Sequence, residues 1–308
     1  MSSSSSPVSV AVIGLGQMGR AIAANLAAAP ELRLAVWNRT AAKADGLAAT
    51  VAATPGGAAA GASVVVTMLA DDAALEAATF GAGGLVGALA PDAVHVGMST
   101  ISPGLAARLA AAHAEAGERY VSAPVFGRPK AAAARKLTIV PAGAADAIEA
   151  ARPVLEQLGE IRFTLEHAQQ ANVFKLLANF MGVATIEILG EFLTAAEKAG
   201  LPRERVLSFL TGPQLGSGVV KAYAPMIAAG EFEPAGFALA LGRKDVTLAL
   251  DAVRELGTRL EVGELALEHI DTALERGRDA LDWSALTTVV REQAGLEPLP
   301  GGASAAAV

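Results

Sequence analysis

Three features of this 308-residue chain predict an α/β domain built on a parallel sheet, followed by an all-α domain joined to it by a long central helix. An apolar, β-rich run at 8–13 ends in a glycine-rich turn and passes directly into an Ala-rich helical run. Up to residue 165, short β-rich runs alternate with helical ones, the signature of βαβ units, and beyond it every run is helical. Between the two regimes lies the stretch 166–198, whose apolar residues cover nearly every side of a helix. Such a helix is expected to be buried rather than half solvated. The predicted domains are therefore 1–165 and 166–308, as suits a chain near the size at which a single core divides.

The first strand, VSVAVI, runs into Gly14-Leu15-Gly16-Gln17-Met18-Gly19 and then a helix. Strand, G-x-G-x-x-G, helix is the context in which the glycine pattern carries meaning, that of a Rossmann-type dinucleotide site. Gly14 permits the tight turn, Gly16 removes a side chain that would block a pyrophosphate, and Gly19 lets helix and strand approach. The N–H groups freed at the helix start are the phosphate donors. A second strand at 33–37 ends in Asn38-Arg39-Thr40. A site selecting an unphosphorylated ribose places an acid about 20 residues beyond the glycines, and none stands here. Arg39 can pair with a 2'-phosphate, with Asn38 and Thr40 adding hydrogen bonds, so the expected cofactor is NADP(H).

A third strand at 63–68 delivers Met68 and Leu69, and Asp71 or Asp72 caps the next helix. The strand at 93–97 delivers Ser99 and Thr100 at the carboxyl edge of the sheet, where doubly wound folds bind ligands, and Ser102-Pro103 cap a helix. Ser99 and Thr100 are left to meet a ligand. A strand at 119–122 precedes a loop punctuated by Gly and Pro at 123–129 (APVFGRP). A short helix, a strand at 137–140, a helix at 144–158 and a last strand at 161–163 complete the first domain. Helices are then expected at 203–210, 219–229, 238–256, 262–276 and 284–293.

Within the central helix Asn172, Lys175 and Asn179 fall at i, i+3 and i+7, one polar line on an apolar element. Two readings of Lys175 stand side by side. Its stem packs while its ammonium snorkels to water, or the ammonium is catalytic and Asn179 one turn later holds its geometry. Lys244, inside Arg243-Lys244-Asp245, is likewise either part of a solvated charged face or a functional amine.

The net charge of −7 and the lack of any Lys/Arg block argue against a nucleic-acid or anionic-membrane surface. Zero cysteines exclude disulfides, thiolate chemistry and Cys-ligated metal, which fits the cytoplasm. His95 and His113 have no second ligand at metal-site spacing and are expected to be structural, so no metal is expected. The lead 1–7 and the tail from 298 are expected to be disordered or frayed, with neither a secretory signal nor a transmembrane span. The many apolar faces of the central helix predict a homodimer.

Six segments together carry a family resemblance: IGLGQMG at 13–19, NRT at 38–40, MST at 98–100, SAPVFGRP at 122–129, NVFKLLANF at 172–180 and GRKD at 242–245. Over essentially its whole length the chain resembles the β-hydroxyacid dehydrogenases, such as 3-hydroxyisobutyrate dehydrogenase, which are related to 6-phosphogluconate dehydrogenase and the imine reductases. The resemblance implies a dimeric NADP(H)-dependent oxidoreductase acting on a small β-hydroxyacid or semialdehyde. It implies Lys175 as general acid/base, Asn179 as a substrate-holding residue, and Ser99 and Thr100 near nicotinamide and substrate. Lys244 would close over the cofactor, and Ser122, Phe126, Gly127 and Arg128 would belong to the substrate loop. The chain departs from the family at Phe126-Gly127-Arg128, where Ser-Gly-Gly is common, and at Ala171, where Gly is common. Phe126 removes a hydroxyl and adds an aromatic face, which admits imine reduction as the alternative.

Overall fold

A computed structural model describes residues 8–299. The lead 1–7 and the tail from 300 lie outside the described residues. The chain divides into two compact units, 1–175 and 176–308.

In the first unit the elements run β1 (Val8–Ile13), α1 (Gln17–Ala27), β2 (Leu32–Trp37), β3 (Thr50–Val51), α2 (Pro55–Ala59), β4 (Val64–Thr67), α3 (Asp72–Phe80), β5 (Val94–Gly97) and α4 (Pro103–Glu115). They continue with β6 (Arg119–Ser122), β7 (Val125–Phe126), α5 (Pro129–Ala133), β8 (Leu137–Ile139), α6 (Ala145–Glu156) and β9 (Gly159–Ile161). Six strands form a sheet of order β3-β2-β1-β4-β5-β6, every pair parallel. Helices on both faces explain why these strands are apolar at successive positions. Val10, Val12, Val64 and Val66 enter one core, while Ala11, Ile13 and Val65 enter another on the opposite face. The expected α/β class is what the chain adopts.

The first unit also departs from the sequence-based expectation in detail. β3 and α2 lie in a segment without a periodic signal, and Val125–Phe126 of the expected loop is a strand, paired antiparallel with β8. The last strand is Gly159–Ile161 rather than 161–163. Its register sets Gly159 opposite Leu137, where any Cβ would lie 1.9 Å from the Leu137 carbonyl oxygen, so a residue that looks like a turn signal is the strand's close-approach point.

Beneath the sheet, Thr67 Oγ1 lies 2.9 Å from His95 Nε2, His95 Nδ1 lies 2.8 Å from His113 Nε2, and His113 Nδ1 lies 2.7 Å from Glu118 Oε2. Both rings are fully buried, which accords with the structural role expected of them. Burial, followed by the His113 charge, holds His95 well below the usual imidazole range. Burial also lowers His113, against the raising pull of Glu118.

In the second unit α7 (Ala168–Lys198) carries on from the first, followed by α8 (Arg203–Leu210), α9 (Gly218–Ala229), α10 (Leu239–Glu255), α11 (Glu261–Glu275), a 3-10 turn at Trp283–Leu286 and α12 (Thr287–Gln293). Trp283 is the packing centre. It sits against Gly182 of α7 and Gly242 of α10, where added Cβ atoms would stand 3.1 and 3.0 Å from the indole side chain. Its Nε1–H donates to Tyr223 Oη at 2.5 Å. Glu187 and His269 form a second buried pair at 2.9 Å. By length and composition α7 is apolar enough to cross a membrane, and Val183, Ile186 and Leu189 on it belong to the core of this unit.

The expectation that α7 is buried on every side is corrected for the single chain. Met181 is 63% exposed, Ile188 59% and Phe192 44%, at i, i+7 and i+11, so one stripe of the helix lies outside the core.

The histidine chain generates a prediction. Folded-state values below the unfolded one mean that the unfolded chain binds more protons as pH falls through the ordinary imidazole value of about 6.5, so this stability is present above that value and lost below it. Thermal midpoints should fall as pH is lowered from neutrality, and His95→Gln should flatten the slope relative to wild type.

Candidate active site

The parallel register aligns strand ends. Ile13 pairs with Trp37 and with Thr67, Thr67 with Gly97, and Gly97 with Ser122. The segments that follow these residues therefore leave one edge of the sheet together: the glycine loop, Asn38-Arg39-Thr40, Met68-Leu69, Ser99-Thr100 and the 123–128 loop. Strand order reverses on either side of β1, and ligands of doubly wound sheets bind outside that switch point.

The three glycines play three separable physical roles. Gly14 has φ 100°, and a Cβ on it would stand 2.3 Å from the Met68 carbonyl oxygen. A Cβ on Gly19 would stand 2.0 Å from the Gly14 carbonyl oxygen. Gly16 is different: no atom lies within 4 Å of its Cβ position, and as N-cap of α1 it offers no side-chain cap. The first N–H groups of an 11-residue helix thus face an open approach, flanked by Leu15, Gln17 and Met18. This arrangement fits a dinucleotide pyrophosphate.

Asn38 plays a larger part than ribose contact. Its Oδ1 accepts from Leu15 N–H at 2.9 Å and its Nδ2 donates to the Thr40 carbonyl at 2.9 Å, tying the glycine loop to the turn after β2. Arg39 and Thr40 are exposed beside it. Arg20 donates to the carbonyls of Lys43 and Asp45, pinning the following 3-10 turn at Ala41–Ala44. Asp71 caps α3, whereas Asp72 accepts from the Ser102 N–H at 3.0 Å and from its hydroxyl, which anchors the segment carrying Ser99 and Thr100.

Two serines are less available than their motifs suggest. Ser99 is 1% exposed and its Oγ accepts from Leu69 N–H at 2.8 Å, leaving its hydroxyl proton to donate. Ser122, read as substrate-binding, is also buried, and its Oγ accepts from Asn172 Nδ2 at 2.6 Å. That bond ties the start of α7 to the end of β6, Asn172 being fully buried with its Nδ2 donating to Ser122.

Three residues after Asn172, Lys175 sets its ammonium 4.6 Å from the centroid of the Phe126 ring. Phe126 meets Phe174 edge to face at 5.7 Å, and Phe174 meets Phe163 at 5.3 Å. Gly127 beside it has φ 135°, a conformation favouring glycine, and Arg128 is the N-cap residue of α5. In the second unit Asn179 Nδ2 donates to Asp245 Oδ2 at 2.7 Å, and Asp245 Oδ1 pairs with Lys244 Nζ at 3.0 Å. Asp245 is 3% exposed. Lys244 is therefore held by a buried carboxylate rather than lying on a solvated face. Asp245 received no role in the sequence reading: it stands 66 residues from Asn179, and no local spacing couples them.

The glycine geometry predicts a split outcome. Gly16→Val should keep the thermal midpoint near wild type and abolish tight dinucleotide binding, while Gly19→Ala should lower the midpoint itself. Thermal unfolding and fluorescence titration with NADPH distinguish the two.

A family model described as the NAD binding domain of 6-phosphogluconate dehydrogenase matches residues 9–174. A second, described as the NAD-binding of NADP-dependent 3-hydroxyisobutyrate dehydrogenase, matches 170–290. The chain is 42% identical to an uncharacterized oxidoreductase, YfjR, of Bacillus subtilis over 92% of its length and 99% of the relative's. It is 31% identical to 3-sulfolactaldehyde reductase of Escherichia coli, covering 93% and 97%. Among solved structures, the 3-hydroxyisobutyrate dehydrogenase of Mycobacterium tuberculosis with L-serine aligns with a TM-score of 0.83 at 28% identity, covering 92% of this chain and 99% of that one. With a glycine loop shaped for a dinucleotide and matches spanning both units, the chain belongs to the 3-hydroxyisobutyrate dehydrogenase-like NAD(P)-dependent oxidoreductases of the 6-phosphogluconate dehydrogenase superfamily.

Proposed function

We propose that this protein is an NADP(H)-dependent oxidoreductase interconverting a small β-hydroxyacid and its semialdehyde, with Lys175 as general acid/base. The observation that carries the reading is the mounting of Lys175. Its helix is anchored one turn earlier by the buried Asn172–Ser122 bond, and its ammonium lies against Phe126 of the loop leaving the sheet's carboxyl edge. A primary amine is the residue type that can both donate and accept a proton there, which an arginine cannot.

When bound, NADP(H) supplies or accepts the hydride at nicotinamide C4. The backbone N–H groups after Gly16, with Gly14, Leu15, Gln17, Met18 and Gly19 shaping the loop, would hold its pyrophosphate. Arg39 would pair with the 2'-phosphate with Thr40 assisting, while Asn38 positions the turn. Met68, Leu69, Ser99 and Thr100 would line the nicotinamide end, and Lys244 would supply a cation to the cofactor. In reduction Lys175 donates its proton to the carbonyl oxygen as negative charge gathers there; in oxidation the neutral amine takes the hydroxyl proton. Asn179, one turn further along α7, orients the substrate, its amide aimed by Asp245. The assignment gives cofactor binding to 1–165 and substrate and dimer contacts to 166–308, in a cytoplasmic homodimer.

The alternative, reduction of a cyclic imine, draws on Phe126 in place of a hydroxyl donor. Assays of NADPH oxidation with succinic semialdehyde and with a cyclic imine separate the two.

Three outcomes are expected. Lys175→Ala should lose about 10²–10⁴ in kcat with NADPH affinity little changed, and Lys175→Arg should rescue poorly; near-normal turnover by the alanine variant removes Lys175 from the chemistry. NADPH should be preferred over NADH in kcat/KM by roughly ten- to a hundredfold, the worth of one charge-assisted pair, and Arg39→Ala should erase the preference. The exposed stripe of Met181, Ile188 and Phe192 should be covered by a second copy, so light scattering should report a dimer that Ile188→Glu dissociates.

A further inference from the structure

Aromatic residues are scarce in this chain, nine Phe, two Tyr and two Trp in 308 positions, yet three phenylalanines form a row whose end, Phe126, carries the Lys175 ammonium. They come from separate segments. Phe126 lies on β7, Phe163 follows β9, and Phe174 precedes Lys175 on α7. Each neighbouring pair meets edge to face, with interplanar angles of 71° and 76°. Phe174 and Phe163 nevertheless remain 39% and 45% exposed, so the cluster offers its outer surface instead of closing into the core.

We infer that Phe126, Phe163 and Phe174 form a specificity wall for the group next to the reacting carbon, selecting β-hydroxyacids that carry an aryl or bulky alkyl substituent at C2. The inference rests on Lys175 as the proton-transferring amine and deepens that reading by naming the substrate class. The Lys175 ammonium covers the face of the Phe126 ring at 4.6 Å. An oxygen exchanging a proton with Nζ lies within hydrogen-bond reach of that ammonium, and so in the neighbourhood of the ring. In the proposed pose the C2 substituent, whose first atom is three bonds from that oxygen, turns toward the Phe126 ring and, beyond it, Phe174 and Phe163. A hydrogen or hydroxyl at C2 leaves that apolar surface wet or forces a polar group against carbon without a partner. An aryl ring can extend the edge-to-face series already present. The rings are held by backbone as well as by each other: Phe126 pairs with Thr138 on β8, and Gly127 turns the chain away immediately after it.

The test uses the full-length protein and the oxidation direction, with NADP⁺ and three 3-hydroxypropanoates bearing hydrogen, methyl or benzyl at C2. The benzyl compound is expected to exceed the unsubstituted acid in kcat/KM by about tenfold or more, the range that pocket hydrophobicity supplies. Phe126→Ser and Phe174→Ala should each collapse that ratio, with NADP⁺ affinity and thermal midpoint reporting that the variants remain folded. Wild-type preference for the unsubstituted acid, or a ratio unmoved by Phe126→Ser, overturns the wall. If the small acid wins and its KM rises on Arg128→Ala, selection lies with the carboxylate at Arg128 instead. A Lys175→Ala protein that keeps its turnover refutes the acid/base reading and with it the placement of the wall, whereas loss of turnover in that variant beside a wild-type preference for the unsubstituted acid overturns the wall alone.

Discussion

The carbonyl oxygen of Gly14 stands 2.0 Å from where a side chain on Gly19 would begin, and the Met68 carbonyl stands 2.3 Å from the corresponding point on Gly14. These two contacts bring β1, α1 and β4 closer than any side chain permits, and much of the first unit follows from them. The helix start is drawn onto the carboxyl edge of the sheet, its N–H groups unsatisfied and its partial positive charge turned outward. Asn38 then locks the loop from the other side, one amide serving the glycine turn and the end of β2 together. A site for phosphates is thus a consequence of backbone packing, with side chains needed chiefly to choose among dinucleotides.

The second unit uses the same device with a different filler. Gly182 and Gly242 leave room for one tryptophan, and each lies three residues from a member of the Asn179–Asp245 pair. Setting α7 and α10 around Trp283 places that amide and carboxylate within hydrogen-bonding distance, and Lys244 completes the series. A buried carboxylate is costly without partners, so Asp245 constrains both neighbours as firmly as they stabilise it. Nearby on α7, burial raises the Glu187 carboxyl above its ordinary range against the opposing pull of His269, and this acid serves the core rather than the polar line of Asn172, Lys175 and Asn179.

Lys175 gains its precision from what precedes it. Asn172 spends its amide on Ser122, so the helix leaves the sheet edge at a fixed rotation, and the lysine one turn later inherits that rotation. Phe126 supplies the other boundary. A family loop usually furnished with a hydroxyl here carries an aromatic face, and the ammonium rests on it. Attraction between a cation and a ring quadrupole is modest, about 0.5–2 kcal/mol, but it is directional and requires no water.

How much of this was legible beforehand follows the range of the forces involved. Alternation of β-rich and helical runs, the three glycine roles, the Ser102-Pro103 cap and the helices beyond residue 165 all depend on neighbours a few positions apart, so the chain itself determines them. The missing acid after β2 and the lysine within an apolar helix belong to the same class. Partners across long separations do not. Ser122 meets Asn172 fifty residues away, Asn179 meets Asp245 sixty-six away, and the three phenylalanines converge from three segments. No spacing rule couples such residues, because packing decides which way a side chain points once its element is placed. For the same reason composition alone suggested an α7 buried all round: the count of apolar residues is local, whereas the direction left uncovered is set by the helices that pack against the others. The chain wrote its strands, helices and phosphate loop; tertiary packing alone turned two candidate ligand serines inward, set Asp245 against Asn179 and Lys244, and laid Lys175 on Phe126.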